Sequence, residues 1–180
     1  PNLAYPHEWR YRDYVIDSFN ADKPYNQFIR EQLAGDLMPA RDDRHRAELM
    51  TATGFLALGP KSHNERSRMQ FAVDMVDEQI ETLSRSMLGL TIACARCHDH
   101  KFDPIRQTDY YRTASIFCSG YIGQGNLGGP SKTQLGLDVF GWTDKGRTAD
   151  PIRLLIKGER HQPGEIIEPA TLSSIPALET

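Results

Sequence analysis

The chain has 180 residues, 39% of them apolar and 25% charged, which describes a globular protein with its own core rather than a disordered chain. A formal net charge of −3 and a pI near 6.1 leave no basic excess for nucleic acid, and no apolar run approaches the ~18 residues of a membrane span. Three cysteines are too few for a disulfide framework, and a start at Pro1 reads as a mature or excised piece of a longer protein.

The first two thirds of the sequence read as helices. Tyr11, Val15 and Phe19 recur every four residues, with Tyr14 and Ser18 alongside, predicting a short amphipathic helix over 9–20. Asn20 to Pro24 is a break in which Asp22 can cap the next helix and Pro24 suits its first turn. Phe28, Ile29, Leu33 and Leu37 carry that helix to a stop at Pro39. A third helix begins after Asp42 and Asp43, carries Ala47, Met50, Gly54 and Leu58, and ends at Gly59-Pro60.

The fourth segment is the most regular. Met69, Val73, Val76, Ile80, Leu83, Met87, Leu90 and Cys94 follow one another at alternating steps of four and three, and a further three reaches Cys97. This spacing predicts one long helix whose buried stripe includes both cysteines. Asp74, Asp77, Glu78, Glu81 and Arg85 fall on the opposite face, with Glu81 and Arg85 spaced as a helical ion pair. After Asp103-Pro104, Thr108 can cap a helix through Tyr110, Ala114 and Phe117 that stops at Gly120. Residues 120–147 are Gly-rich without a sustained period and read as a long loop. Ile152–Ile156 then reads as a strand, Gln162-Pro163-Gly164 as a turn, and Glu165–Glu168 as a second short strand. The expected organisation is a helical domain over 1–120, an irregular loop over 121–151, and a β-containing junction to a further domain over 152–180. The fold class is mainly α.

Chemistry concentrates in Cys94-Ala95-Arg96-Cys97-His98, a C-x-x-C-H arrangement. Two thiols three residues apart can add to the vinyl groups of one haem, and the next histidine can reach its iron. Other readings compete. A thioredoxin-like dithiol would sit in a βαβ context, which the helical surroundings do not offer. A zinc site could draw on Cys94, Cys97 and Cys118 with His98 or His100, although no second ligand pair of the usual spacing is present. A leftover Cys118 on an apolar face otherwise reads as a small buried hydrophobe.

Three stretches carry a family resemblance: WRYRDYVIDSFN at 9–20 with KPYNQFIREQLAGDL at 23–37, GFLALGPK at 54–61 with VDEQ at 76–79, and LGLTIACARCHDHKFDPI at 88–105. Over about residues 5–120 the chain resembles the planctomycete-type cytochrome-c-like domain of large secreted proteins. The stretch LLIKGERHQPGE at 154–165 is similar to the junction into the second domain that often follows it. The resemblance implies one covalent haem c per chain on Cys94 and Cys97, with His98 as the proximal ligand and site metal-binder, in a periplasmic or extracellular compartment. The implied partners are further domains of the same polypeptide or a redox protein, with no nucleic acid and no membrane span in this segment.

The sequence leaves the sixth iron ligand open. Met87 and His100 lie too close in sequence to the attachment residues to cross the ring, so Met87 reads as core and His100 as a partner for a propionate, a backbone carbonyl or, with Asp103, a cation. His63 and Met69 have the freedom to approach from the other side. No nucleophile triad or phosphate loop appears, and Asp77–Glu78, adjacent on a helix, do not form an acid–base couple. The expected function is an electron-transfer module with c-type haem. The alternatives are a haem enzyme with an open distal site acting oxidatively, on polysaccharide for example, and a zinc-stapled structural domain.

Overall fold

The computed structural model describes residues 7–59, 67–118, 120–123, 141–144, 152–159, 162–169 and 172–173. The chain is mainly helical, with a short two-stranded antiparallel sheet near the C-terminus. It divides into two compact units, Pro1–Leu58 with Gly120–Lys145 and Gly59–Ser119 with Gly146–Thr180.

In the first unit, helices α1 (Trp9–Asn20) and α2 (Tyr25–Ala34) are joined by a turn in which Asp22 takes a positive φ of 50°. Asp22 therefore shapes the turn and does not cap α2, which begins directly after Pro24 without a side-chain cap. The face of α1 that turns inward carries Tyr14 and Ser18, while Phe19 is 72% exposed. The Tyr14 ring stacks on Phe28 at 5.9 Å, and its hydroxyl donates to the buried Glu31 carboxylate at 2.8 Å. Lys23 and Gln27 also donate to Glu31. Desolvation alone would raise this carboxyl's pKa, but its three donors and the Lys23 charge outweigh burial and hold it low. Helix α2 closes in a 3₁₀ turn over Gly35–Leu37. Helix α3 (Asp43–Ala52) is capped as its sequence predicts, the Asp42 carboxylate accepting from the His45 N–H at 2.7 Å. It runs into a buried 3₁₀ turn over Thr53–Ala57. Strands β1 (Gly120–Gly123) and β2 (Gly141–Asp144) pair antiparallel, Tyr121 opposite Thr143 and Ile122 opposite Trp142. The expected loop over 121–151 thus holds paired strands, each too short for an alternating pattern to be legible.

The second unit begins with α4 (Arg68–Leu83), whose N-terminus is capped by Ser67 accepting from the Gln70 N–H. The expected stripe is buried at Val76 and Ile80, and Glu81 pairs with Arg85 as its spacing predicts. The helix then loosens into a π-turn over Ser84–Leu88 and ends at Gly89, which adopts the left-handed conformation (φ 66°). The Gly89 and Leu90 N–H groups both close on the Ser84 carbonyl. A π-turn admits an extra residue and a left-handed glycine reverses the chain, so the apolar register cannot run on to Cys94. A separate 3₁₀ turn over Ile92–Arg96 carries the motif. Ile92 and Ala95 are buried there, at 1% and 0% exposure, while Cys94 and Cys97 face outward. The expectation of cysteines on a buried helical stripe is therefore corrected.

Helix α5 (Gln107–Phe117) follows, with Tyr110, Tyr111, Ala114 and Phe117 in the core. It starts one residue before the expected cap at Thr108. Asp109 serves instead, accepting from the Arg106 N–H at 2.9 Å. Strands β3 (Ile152–Leu155) and β4 (Pro163–Ile167) form an antiparallel hairpin with Ile152 opposite Ile167 and a bulge between Arg153 and Leu155. Gly164, expected in a turn, lies within β4. The chain reverses instead through Lys157 and Gly158, both at positive φ (55° and 73°), closed by the Glu159 N–H on the Ile156 carbonyl at 3.0 Å.

Candidate functional site

The C-x-x-C-H turn is held from three sides within the second unit. Its start is closed by the Cys94 N–H on the Thr91 carbonyl at 3.1 Å. Arg96, between the cysteines, sends its guanidinium back to Asp77 of α4 at 3.2 Å, and the other Asp77 oxygen accepts from the Tyr110 hydroxyl at 2.8 Å. Burial and the Asp77 charge push the Tyr110 hydroxyl pKa far above its ordinary range, so it remains a donor. The Arg96 carbonyl accepts from Gln107 Nε2 at 3.0 Å and from the Tyr111 hydroxyl at 3.1 Å. Gln107 Nε2 also reaches the Leu155 carbonyl at 2.9 Å, which ties the motif to β3.

Cys94, Cys97 and His98 are all surface-accessible, and both thiols are free. His98 Nδ1 lies 2.7 Å from the Asp99 carbonyl oxygen. A carbonyl only accepts, so Nδ1 carries the hydrogen and the lone pair of the neutral ring sits on Nε2, the atom a metal would take. Cys97 meets the hairpin: a Cβ built on Gly158 would lie 2.6 Å from Cys97 Sγ.

His100 has a different duty. Its Nδ1 accepts from the Asp103 N–H at 2.8 Å and the Phe102 N–H at 3.3 Å, leaving Nε2–H to donate to Thr91 Oγ at 3.0 Å. Its side chain is 6% exposed, with the Asp103 carboxylate 3.3 Å from Nδ1. It braces the loop after the motif, whose turn at Pro104 is closed by the Ile105 N–H on the Asp103 carbonyl at 2.7 Å. A shallow open depression of about 360 Å³ beside it is lined by Asp99, His100, Asp103, Ile105 and Arg106 with Ser173. Part of its polar lining is engaged within the fold: Asp99 Oδ1 accepts from the Gln107 N–H, and the Ser173 N–H and hydroxyl both donate to Asp109.

Of the other sequence candidates, Cys118, expected as a small buried hydrophobe, is exposed directly after α5, though desolvation still raises its thiol pKa. Among the described residues no three His, Cys, Asp or Glu side chains are grouped to hold a metal ion, so the set of Cys94, Cys97, Cys118 and His98 or His100 is not brought together. Met87 is half-buried in the π-turn. His63 and the side chain of Met69 lie outside the described residues. Arg96, Gln107, Tyr110 and Gly158 were not legible as site residues, because each acts through a partner distant in sequence.

Residues 2–120 match the model of the PSCyt2 family, described as a protein of unknown function (DUF1549). The chain belongs to this family. No curated protein and no solved structure matches it. The PSCyt2 match ends three residues after α5 and includes the whole C-x-x-C-H turn, while the hairpin that touches Cys97 lies beyond it. Among the described residues no helix is long and apolar enough to cross a membrane.

Proposed function

We propose that this PSCyt2 chain carries one covalent c-type haem on Cys94 and Cys97, with His98 as proximal ligand, and works as an electron-transfer module of a larger extracytoplasmic protein. The observation that carries this reading is the state of the three residues together: two free, outward thiols, and a neighbouring imidazole with its Nδ1–H held by the Asp99 carbonyl. That hydrogen bond fixes the tautomer a metal-binding histidine needs, leaving the Nε2 lone pair for a metal. Each thiol would add its S–H across one vinyl group, sulfur bonding the carbon next to the ring and the proton passing to the terminal carbon, with no electron lost or gained. The bound haem would supply a one-electron iron couple.

The surroundings support the same reading. Phe102, four residues after His98, is 83% exposed, and Ile156, in the turn that meets Cys97, is 46% exposed, so apolar surface lies open near the motif. The zinc alternative needs Cys118 beside Cys94, Cys97 and a histidine, a set not grouped among the described residues, and His100 already spends both ring nitrogens on Thr91, Phe102 and Asp103. The test is expression in a periplasm with a cytochrome c maturation system. Haem stain should survive on a denaturing gel at one haem per chain, Cys94→Ala or Cys97→Ala should retain at most one thioether, and His98→Ala should lose the proximal bond. Recovery of haem-free, zinc-loaded protein under those conditions refutes the proposal. Carbon monoxide binding to the reduced form separates electron carriage from chemistry at an open distal site.

A further inference from the structure

The motif is embraced by a segment that the family match does not include. Gly158 stands at the tip of the β3–β4 hairpin in a left-handed conformation, and the position of its missing Cβ is 2.6 Å from Cys97 Sγ and 3.6 Å from Cys97 Cβ. Real Cβ atoms do not approach a sulfur so closely, so only glycine allows this turn and this thiol to coexist as they stand. The turn is not free to drift away. Gln107 Nε2 holds the Leu155 carbonyl of β3 and the Arg96 carbonyl of the motif at once. Beyond the hairpin, Leu172 is 6% exposed, and Ser173 closes on the buried Asp109 of α5 through both its N–H and its hydroxyl.

From this geometry we propose that Gly158 sets the side-chain direction of Cys97, making the C-terminal hairpin a positioning element of the attachment site. The proposal rests on the haem reading for its purpose: the second thioether forms only if Cys97 Sγ points where Gly158 leaves room for it. A side chain at 158 would turn Sγ to another rotamer and leave one vinyl group unreacted.

Gly158→Asn is the informative variant, because asparagine tolerates the left-handed backbone and adds the Cβ. In haem-free protein, alkylation mapped by peptide mass spectrometry should show a changed rate at Cys97 and an unchanged rate at Cys94. In protein matured with haem, the adduct mass should stay the same, since thiol addition conserves atoms. The reduced pyridine haemochrome band should shift to that of a haem retaining one vinyl group. Wild-type alkylation at Cys97 together with two thioethers in Gly158→Asn overturns the proposal. If the wild-type chain takes no haem, the haem reading fails, and the alkylation arm alone judges the positioning role. If Gly158→Asn does not fold, Gln107→Ala with Tyr111→Phe, which together remove the side chains that bridge Leu155 and the Arg96 carbonyl, should produce the same Cys97-selective change, and an unchanged Cys97 rate there overturns the proposal.

Discussion

Asp109→Ala should be among the most damaging single substitutions in the second unit. The residue is 0% exposed, and its carboxylate accepts four hydrogen bonds. They come from the Arg106 N–H at 2.9 Å, the Ser173 N–H at 2.9 Å, the Ser173 hydroxyl at 2.8 Å and Arg112 Nη1 at 3.3 Å. Hydrogen bonds to a charged group are worth about 1.5–3 kcal/mol each, and breaking a buried charge pair costs about 3–5 kcal/mol. Arg112 is 37% exposed and Ser173 lies at the surface, so their donors can turn to water, which favours the low end, near ~3 kcal/mol. At a urea m-value of about 2 kcal/mol/M the midpoint should fall by roughly 1.5 M. Trp9 and Trp142 both belong to the first unit, so far-ultraviolet circular dichroism, not tryptophan emission, is the assay. Ser173→Ala, losing one bond, should cost about 1 kcal/mol. The pH dependence has a definite sign. Desolvation raises the Asp109 pKa, but the Arg106 and Ser173 donors and the Arg112 charge outweigh it, so the folded value lies below the ordinary one. The stabilisation is complete above the unfolded carboxyl pKa of about 3.9 and is lost as pH falls through the lower folded value. The difference between wild type and Asp109→Asn should therefore shrink only in that acid window. A midpoint for Asp109→Ala within ~0.3 M of wild type would refute the reasoning.

Arg96→Met removes the guanidinium that joins the motif to Asp77, and should cost about 2–4 kcal/mol while raising alkylation of Cys94 and Cys97 together, unlike the Cys97-selective effect at Gly158. Equal thiol rates in Arg96→Met and wild type would show that Asp77 does not hold the turn. Gly89→Ala should destabilise by about 1–2 kcal/mol from left-handed strain alone, because a Cβ there meets nothing within 4 Å, and Gly89→Asn should cost less. A gain in stability for Gly89→Ala would mean that the helix prefers to continue towards Cys94.

The fold was legible where local rules act alone. The limits of α1 follow from its apolar period and the Asn20–Pro24 break, and the α3 start follows from Asp42. Which face is buried was less legible, since Phe19 obeys the period yet stands exposed while Tyr14, with a hydroxyl, goes inside. The difference is the Glu31 network on α2, which repays burial of the Tyr14 hydroxyl and which no window along α1 contains. The hairpin's strands were visible in Ile152–Ile156 and Glu165–Glu168, but its turn was placed at the proline rather than at Lys157-Gly158, because nothing local marks a lysine for positive φ.

The motif shows the same division between chemistry and placement. C-x-x-C-H is legible without any fold, as a spacing of two thiols and an imidazole along the chain. Its surroundings do not follow from the stripe that leads to it. An apolar repeat at steps of four and three is evidence for burial only while the helix is continuous, and Leu88-Gly89 offers a stop that the repeat disguises. Once Gly89 reverses the chain, Ile92 and Ala95 take the buried positions and the cysteines turn outward, with Arg96 anchored to the helix that the stripe defines. Exposed cysteines are open to any group that approaches from solvent, whereas thiols sealed into a helix interface would have to wait for that interface to open. The break at Gly89 is therefore what lets one segment serve both ends: α4 supplies core through Val76 and Ile80 and anchorage through Asp77, and Cys94 and Cys97 are delivered to the surface immediately after it.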